Sequence, residues 1–384
     1  MSLPPMTVAE HAAEVDLGAP IDGASIRQLT GGRDVTRVPM WRIRLKLLRR
    51  SFGMTWGLFR ENRLGMLGLT LIILFAVMAI IHPILMATVW DPRVYDPVIG
   101  YDAVMTEYTV VEGEVTDPTT EIDLQTARLE LNPTIRPGEV VFIPTQPAPP
   151  TLDGVNPHYL GTDARGRDIL SQLLYSTRSA FFLGAVAAIT TVLIATTVGA
   201  VAAYFGGWID GGLMRSADLI LLMPLLPVLI VLSAVFEMTM VILGLMIGIL
   251  SGFGGVAIVL KSQALAVKVK SYIDAARVAG GSDWHVIFRH IVPNVLPLSF
   301  LFMMFGVAEA IAIEATLSFF GLLNVPMTWG IMINSAQTNG YLLSGTSYWW
   351  LLFPAGLAVS FLTFAFFLVG RGMDEVINPR LRAR

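Results

Sequence analysis

Few residues in this chain could carry out chemistry by themselves. There is no cysteine among the 384 residues, which excludes thiolate metal sites, disulfides and cysteine nucleophiles. No Gly-x4-Gly-Lys-Ser/Thr run exists to cradle a nucleotide phosphate. The five histidines are scattered. His285 and His290 are five apart, so a regular α-helix would not stack them as a metal pair. No pair of carboxylates combines helical spacing with a soluble pocket, and no enzyme constellation is evident. Two groups of residues remain. One is the polar stretch Asp274-Ala-Ala-Arg-Val-Ala-Gly280 followed by Phe288-Arg-His-Ile-Val-Pro293-Asn294. The other is the pair Glu309 and Glu314, which lie inside an apolar run.

These residues are positioned by elements that read as membrane spans. The chain is 54% hydrophobic and 14% charged, against about 25% charged in soluble domains. A net charge of −3 says nothing about partners. A helix crossing about 30 Å of hydrocarbon needs about 20 apolar residues. Six segments qualify: 64–89, 180–205, 217–236, 238–260, 295–320 and 350–370. The first begins behind a long polar, basic stretch, so no cleaved signal peptide is expected. Lys and Arg cluster before the first span (Arg42 to Arg63), between the fourth and fifth (Lys261 to Arg289) and after the sixth (Arg371 to Arg384). With six spans all three clusters share one side, which predicts cytoplasmic termini. Arg165, Arg167 and Arg178 resist this scheme, partly balanced by Asp163 and Asp168.

Residues 1–40 read as a loose cytoplasmic tail. Residues 41–63 mix Trp, Leu and Phe with Arg and Lys, as in a helix lying on an anionic membrane surface or a charged lead-in to the first span. The loop 91–157 is acidic and rich in proline. The alternating run 127–132 and the β-prone run 139–143 predict a small extracellular β element within 102–150, and a floppy insertion is the alternative. Gly244, Gly248 and Gly252 are spaced for close helix contact, within this subunit or across a dimer. Pro224 and Pro227 should kink the third span. Asp218 is expected near the inner end of that span, in a hydrogen-bonded structural role.

The polar stretch 271–294 has a mechanical form. Residues 271–279 can make one helix that presents Ala275 and Ala276. Gly280-Gly281 breaks it. Ser282 or Asp283 can cap a second helix over 284–291, ended by Pro293. Two short helices at an angle, with a small-residue surface, make a knob for a partner's groove. From the pattern alone an ordinary interfacial loop is equally compatible.

A resemblance goes further. In order, the chain carries His158-Tyr-Leu-Gly-Thr-Asp-Ala-Arg-Gly-Arg-Asp-Ile-Leu-Ser171, then Tyr204-Phe-Gly-Gly-Trp-Ile-Asp210 with Leu213-Met-Arg215 and Asp218. The 274–294 loop follows, then Glu314-Ala-Thr-Leu-Ser-Phe-Phe-Gly321, Thr328-Trp-Gly330 and Asn378-Pro-Arg-Leu-Arg382. In register over more than half the chain, and with 56–69 before the first span also similar, these pieces resemble the C-type membrane subunit of dipeptide/oligopeptide/nickel importers of the ATP-binding-cassette (ABC) class. The loop resembles the EAA loop of that class, with Asp274 where Glu is usual.

The resemblance implies an all-α polytopic protein with six transmembrane helices in the type I ABC importer permease fold, its core over 158–384 and its insertion unusually long. It implies a homologous B-type permease as partner, two ATPase subunits that carry ATP and Mg, an extracytoplasmic substrate-binding protein and a lipid membrane. It implies no cofactor, metal or catalytic residue in this chain and no nucleic-acid partner. ATPase coupling would fall to Asp274, Ala275, Ala276, Gly280, Ser282, Asp283, Trp284, His290 and Pro293. Short peptides lead as cargo, with nickel chelates or oligosaccharides as alternatives. An ATPase-independent secondary transporter is the rival class, disfavoured by six spans without an inverted repeat, and an intramembrane enzyme lacks its reactive pair. Glu309 lies roughly 22 Å along a helix from Pro293 and Glu314 points about 140° away from it. An intramembrane ionisable group is a functional candidate. Glu309, where the family has a small or apolar residue, is expected to face the pathway or to hydrogen-bond a neighbouring helix. Glu314 is expected in a structural or gating role near the outer end.

Overall fold

The computed structural model describes residues 53, 56–102, 105–109, 126–129, 140–144, 146–152 and 156–377. The chain divides into the units Met1–Trp56 and Gly57–Arg384, and the second contains the spans. The expected tail 1–40, residues 41–52, 54 and 55 of the expected surface helix, most of the insertion and the motif 378–382 lie outside the described residues.

Among the described residues, four helices are long and apolar enough to span a bilayer alone: α1 (Arg63–Thr88), α3 (Ile169–Phe205), the helix Asp283–Phe319 and α12 (Trp349–Ile377). Between α1 and α3 lies the short helix α2 (Pro92–Tyr95). Two bent pairs bring the candidate spans to six: α4 (Gly207–Leu222) with α5 (Leu225–Val235), and α6 (Met240–Phe253) with α7 (Gly255–Lys268). The third expected span is therefore no single rod, since α4 and α5 meet at 86°. Pro224 explains the break. It disfavours helical geometry in the residue before it, and Met223 is extended at φ −80°, ψ 121°. The second pair bends by 46° at Gly254.

The 37-residue α3 organises the packing and starts eleven residues before the expected span. Its first turns join a cluster with Trp329 and Trp350. Its middle packs Leu183 and Ala187 on Leu243, Ile247 and Ile313. Its last turns meet α7 and the 271–294 segment. Gly244, Gly248 and Gly252 face α3, against Val186, Thr190 and Thr191, so the glycine stripe makes a contact within this subunit.

The segment before α3 is stitched by polar side chains. Asp168 caps α3 by accepting from the Ser171 amide at 2.7 Å. Asp163 accepts from the Arg165 and Arg167 amides, from Gln172 Nε2, and pairs with the buried Arg167 guanidinium at 2.6 Å. The Arg167 charge is thereby paired and out of solvent. His158, 2% exposed, sits between two carboxylates, with Nδ1 2.9 Å from Asp168 and Nε2 3.2 Å from Asp102. Burial lowers the His158 pKa, but the bonds and charges of Asp168 and Asp102 outweigh it, so the net shift is upward. Neighbouring Tyr95 is pushed up to about 12, by burial first and then by the nearby Asp168.

Asp102 also anchors the insertion. Its amide donates to the Gly166 carbonyl, and its own carbonyl accepts from Gln146 Nε2 at 2.7 Å. Beyond it, β1 (Met105–Thr109) pairs antiparallel with β2 (Val140–Pro144), Met105 opposite Pro144 and Thr109 opposite Val140. The expected run 139–143 thus becomes a strand. Of the run 127–132, residues 127–129 are helical instead, and 130–132 lie outside the described residues. Ala, Arg and Leu favour a helix, whereas the Thr- and Tyr-bearing Met105–Thr109 suits a strand.

Candidate functional site: a rooted loop and a lone carboxylate

The polar segment folds much as its turn chemistry dictates. Helix α8 (Ser271–Val278) stops at Gly280, whose φ of +84° suits a residue without a side chain. Ser282 caps α9 (Asp283–Val286) by accepting from the His285 amide at 3.3 Å. The second helix does not end at Pro293, however. A π-helical turn over Ile287–Ile291 follows, and the chain runs on without interruption into α10 (Val292–Phe319). The Val292 amide reaches back five residues to the Ile287 carbonyl. Pro293 comes directly after this turn and has no N–H to donate back into it. The wider turn also brings His285 and His290 together, with ring centroids 5.7 Å apart. The five-residue spacing read from a regular helix did not foresee this. No cluster of three metal-ligating side chains occurs among the described residues.

The loop has a dry root and a wet tip. Ile273, Val286, Ile287 and Ile291 are fully buried against Ala200 and Ala203 of α3 and Leu260 and Ala264 of α7. Tyr204, next to the end of α3, donates its hydroxyl to Asp283 at 2.6 Å, and the Arg277 guanidinium lies 4.8 Å from the Tyr204 ring centre. Arg277 also reaches Asp274 at 3.4 Å. Asp274, Ala275, Gly280, Ser282, Asp283, Trp284 and Pro293 are exposed, while Ala276 and His290 are half-buried. A Cβ at Gly280 would meet nothing within 4 Å. Val278, 89% exposed, and Phe288, stacked on Trp284 at 5.9 Å, complete an apolar tip. Sequence reasoning gave no role to Tyr204 or Val278. Val278 was detectable as an apolar residue beside a glycine break, but Tyr204 depends on a tertiary contact.

Glu309 and Glu314 are not brought together. Glu314 is 1% exposed, at the far end of α10. It accepts from Ser318 Oγ at 2.5 Å, which in turn accepts from Thr328 Oγ1 at 3.0 Å. Thr328 caps α11 (Trp329–Thr338), so Glu314 ties two helices. Glu309 instead is exposed, at the edge of an open cavity of about 420 Å³ bordered by Met223, Leu225, Gly254 and Phe302, with Ser251 Oγ 3.4 Å from its carboxylate.

The broken spans and the rooted polar loop are those of a polytopic helical membrane protein. Comparison with known proteins gives the family. Residues 195–383 match the binding-protein-dependent transport system inner membrane component family, and residues 51–98 match the N-terminal TM domain of oligopeptide transport permease C. The chain is 28% identical over 335 residues to the dipeptide transport system permease protein DppC of Bacillus subtilis, covering 85% of each chain. It is 32% identical to the glutathione transport system permease protein GsiD of Pectobacterium atrosepticum, over 59% of this chain and 74% of that protein. It is also 32% identical to the oligopeptide transport system permease protein OppC of Haemophilus influenzae, over 61% and 74% respectively. The chain belongs to the binding-protein-dependent transport system inner membrane component family, as the membrane subunit of an ABC importer.

Proposed function

We propose that this chain is one half of the pathway of a peptide importer, driven from its 271–294 loop by two ATPase subunits that bind ATP and Mg. A homologous B-type permease supplies the other half, and an extracytoplasmic binding protein delivers the cargo. Both termini and the loop face the cytoplasm, and the β1–β2 hairpin lies outside. Short peptides are the cargo, in keeping with the names of the relatives.

The observation that carries this reading is the contrast between the buried root of the loop and its bare tip. Helices α8 and α9 cannot shift without moving Ile273, Val286, Ile287 and Ile291, and these are packed into α3 and α7. Force applied at Gly280, Val278 and Trp284 is thereby delivered to the spans. When ATP closes the ATPase pair, the two loops approach and the helices rock as rigid bodies between two packed states. Asp274, Ser282 and Asp283 supply polar contacts, and Ala275 and Gly280 permit close approach. Ala276, His290 and Pro293 shape the root and the turn into α10. Glu314 holds the outer end of the pathway together through Ser318 and Thr328.

Gly280→Trp tests it. The space around Gly280 is open within the chain, although a φ of +84° strains any side chain there. Gly280→Ala carries the same strain without the bulk. In the reconstituted importer, Gly280→Trp should abolish ATP-dependent uptake or loosen the ATPases, while Gly280→Ala retains most of it. Normal assembly and uptake with tryptophan would refute docking at this tip.

A further inference from the structure

Glu309 belongs to two cavities at once. It lines the one of about 420 Å³, which reaches Phe302, and a second of about 470 Å³, which reaches Ile313 and Thr316. Along α10 these residues lie on opposite sides of Glu309, Phe302 about two turns toward the loop and Ile313 and Thr316 about one and two turns toward the far end. Both helix breaks converge at this point, because Met223 and Gly254 border the first cavity and Pro224 and Pro227 border the second. Among the described residues neither wall contains a lysine, arginine or histidine, and Glu309 is the only carboxylate in either. Its one polar partner among them is Ser251 Oγ, at a long 3.4 Å. A carboxylate has about four acceptor sites, so most of its capacity is unused.

The break adds acceptors of its own. Met223 ends α4 at the break, and the last carbonyls of a helix have no partner within it. Broken membrane helices commonly offer such carbonyls to cations. A lone carboxylate at membrane depth is expensive and calls for a countercharge, and this chain places none beside it among the described residues. We propose that Glu309 is a cation-recognition point of the pathway, where an ammonium group of the cargo seats between the two cavities during passage. This deepens the importer reading and rests on it. The opposed cavities distinguish a passage site from a packed structural acid such as Glu314, which has no cavity at its side chain among those bordering Glu309.

The natural absence of cysteine makes a direct test possible. S251C places a thiol beside Glu309 in the full complex of both permeases and ATPases. Its modification by a cationic methanethiosulfonate should run about tenfold faster than by an anionic one of similar size. E309Q should bring the two rates within about twofold, and E309D should keep most of the difference. A free-amine dipeptide should slow the cationic reaction in S251C and not in S251C/E309Q. In transport, E309Q should lower uptake of that dipeptide at least fivefold per assembled complex. A rate ratio unchanged by E309Q overturns the proposal, as does a thiol that reacts with neither reagent or uptake unaffected by E309Q. If the complex carrying native Glu309 shows no ATP-dependent uptake, the importer reading fails instead, and the modification ratio still reports on the cavity.

Discussion

The glycine stripe of α6 offers a sharp test of how this subunit is built. A methyl group at position 248 would press on Thr190 Cβ, lie 2.7 Å from Thr190 Cγ2 and 2.9 Å from the Ala187 carbonyl oxygen. Ordinary contact begins near 3.4 Å. Helices α3 and α6 must therefore separate by about 1 Å, or Thr190 must leave its rotamer. Overpacking of this kind costs about 1–3 kcal/mol. Replacing a helical glycine by alanine also gains up to about 1 kcal/mol of intrinsic propensity, which would mask part of the clash. Gly306 of α10 provides the control, since it is buried but a methyl there meets nothing within 4 Å. Gly248→Ala should therefore fall below Gly306→Ala by about 1–3 kcal/mol, a few degrees in the thermal midpoint of the purified protein. The measurement is made on this chain alone in detergent and again on the assembled importer. If the stripe instead faced the partner permease, Gly248→Ala would weaken assembly and leave the isolated chain as stable as Gly306→Ala. That result would refute the packing argument.

Tyr204→Phe removes the hydroxyl bonded to Asp283 while keeping the ring beneath Arg277. Because Asp283 is exposed, water replaces much of the loss, and about 1 kcal/mol or less is expected rather than the larger value for a buried charged acceptor. The reconstituted complex should hydrolyse more ATP per molecule imported, and an unchanged ratio would mean that the bond does not transmit the loop's motion. His158 makes the base of the insertion pH-dependent. Its folded pKa is raised above the ordinary value of about 6.5. The stabilisation is therefore fully present below that value and is lost as pH rises through the folded pKa. Hydrogen exchange at Asp102 and nearby amides should quicken over that window, and His158→Gln should abolish the dependence.

What the sequence made legible divides along the range of the physics involved. The knob was readable because a glycine with positive φ, a serine cap and a proline act within one or two turns of themselves. The break at Pro224 was readable for the same reason, but its 86° angle was not, because the angle depends on what α4 and α5 each pack against. The π turn at Ile287–Ile291 shows the limit from the other side. No residue there demands it. Its mark is the Val292 amide bonded to the Ile287 carbonyl five residues back, one residue before Pro293, which has no N–H to donate. Glu309 combines the two cases. Its position along α10 followed from counting residues at a fixed rise, and its separation from Glu314 from the angle per residue. Its chemistry required two chain breaks, one in α4–α5 and one in α6–α7, to meet at its side chain. A carboxylate alone in an apolar run fits a pathway role and a hydrogen bond to a neighbouring helix equally, whereas the same carboxylate where two broken spans meet, with an open cavity on either side, is placed to greet a cation.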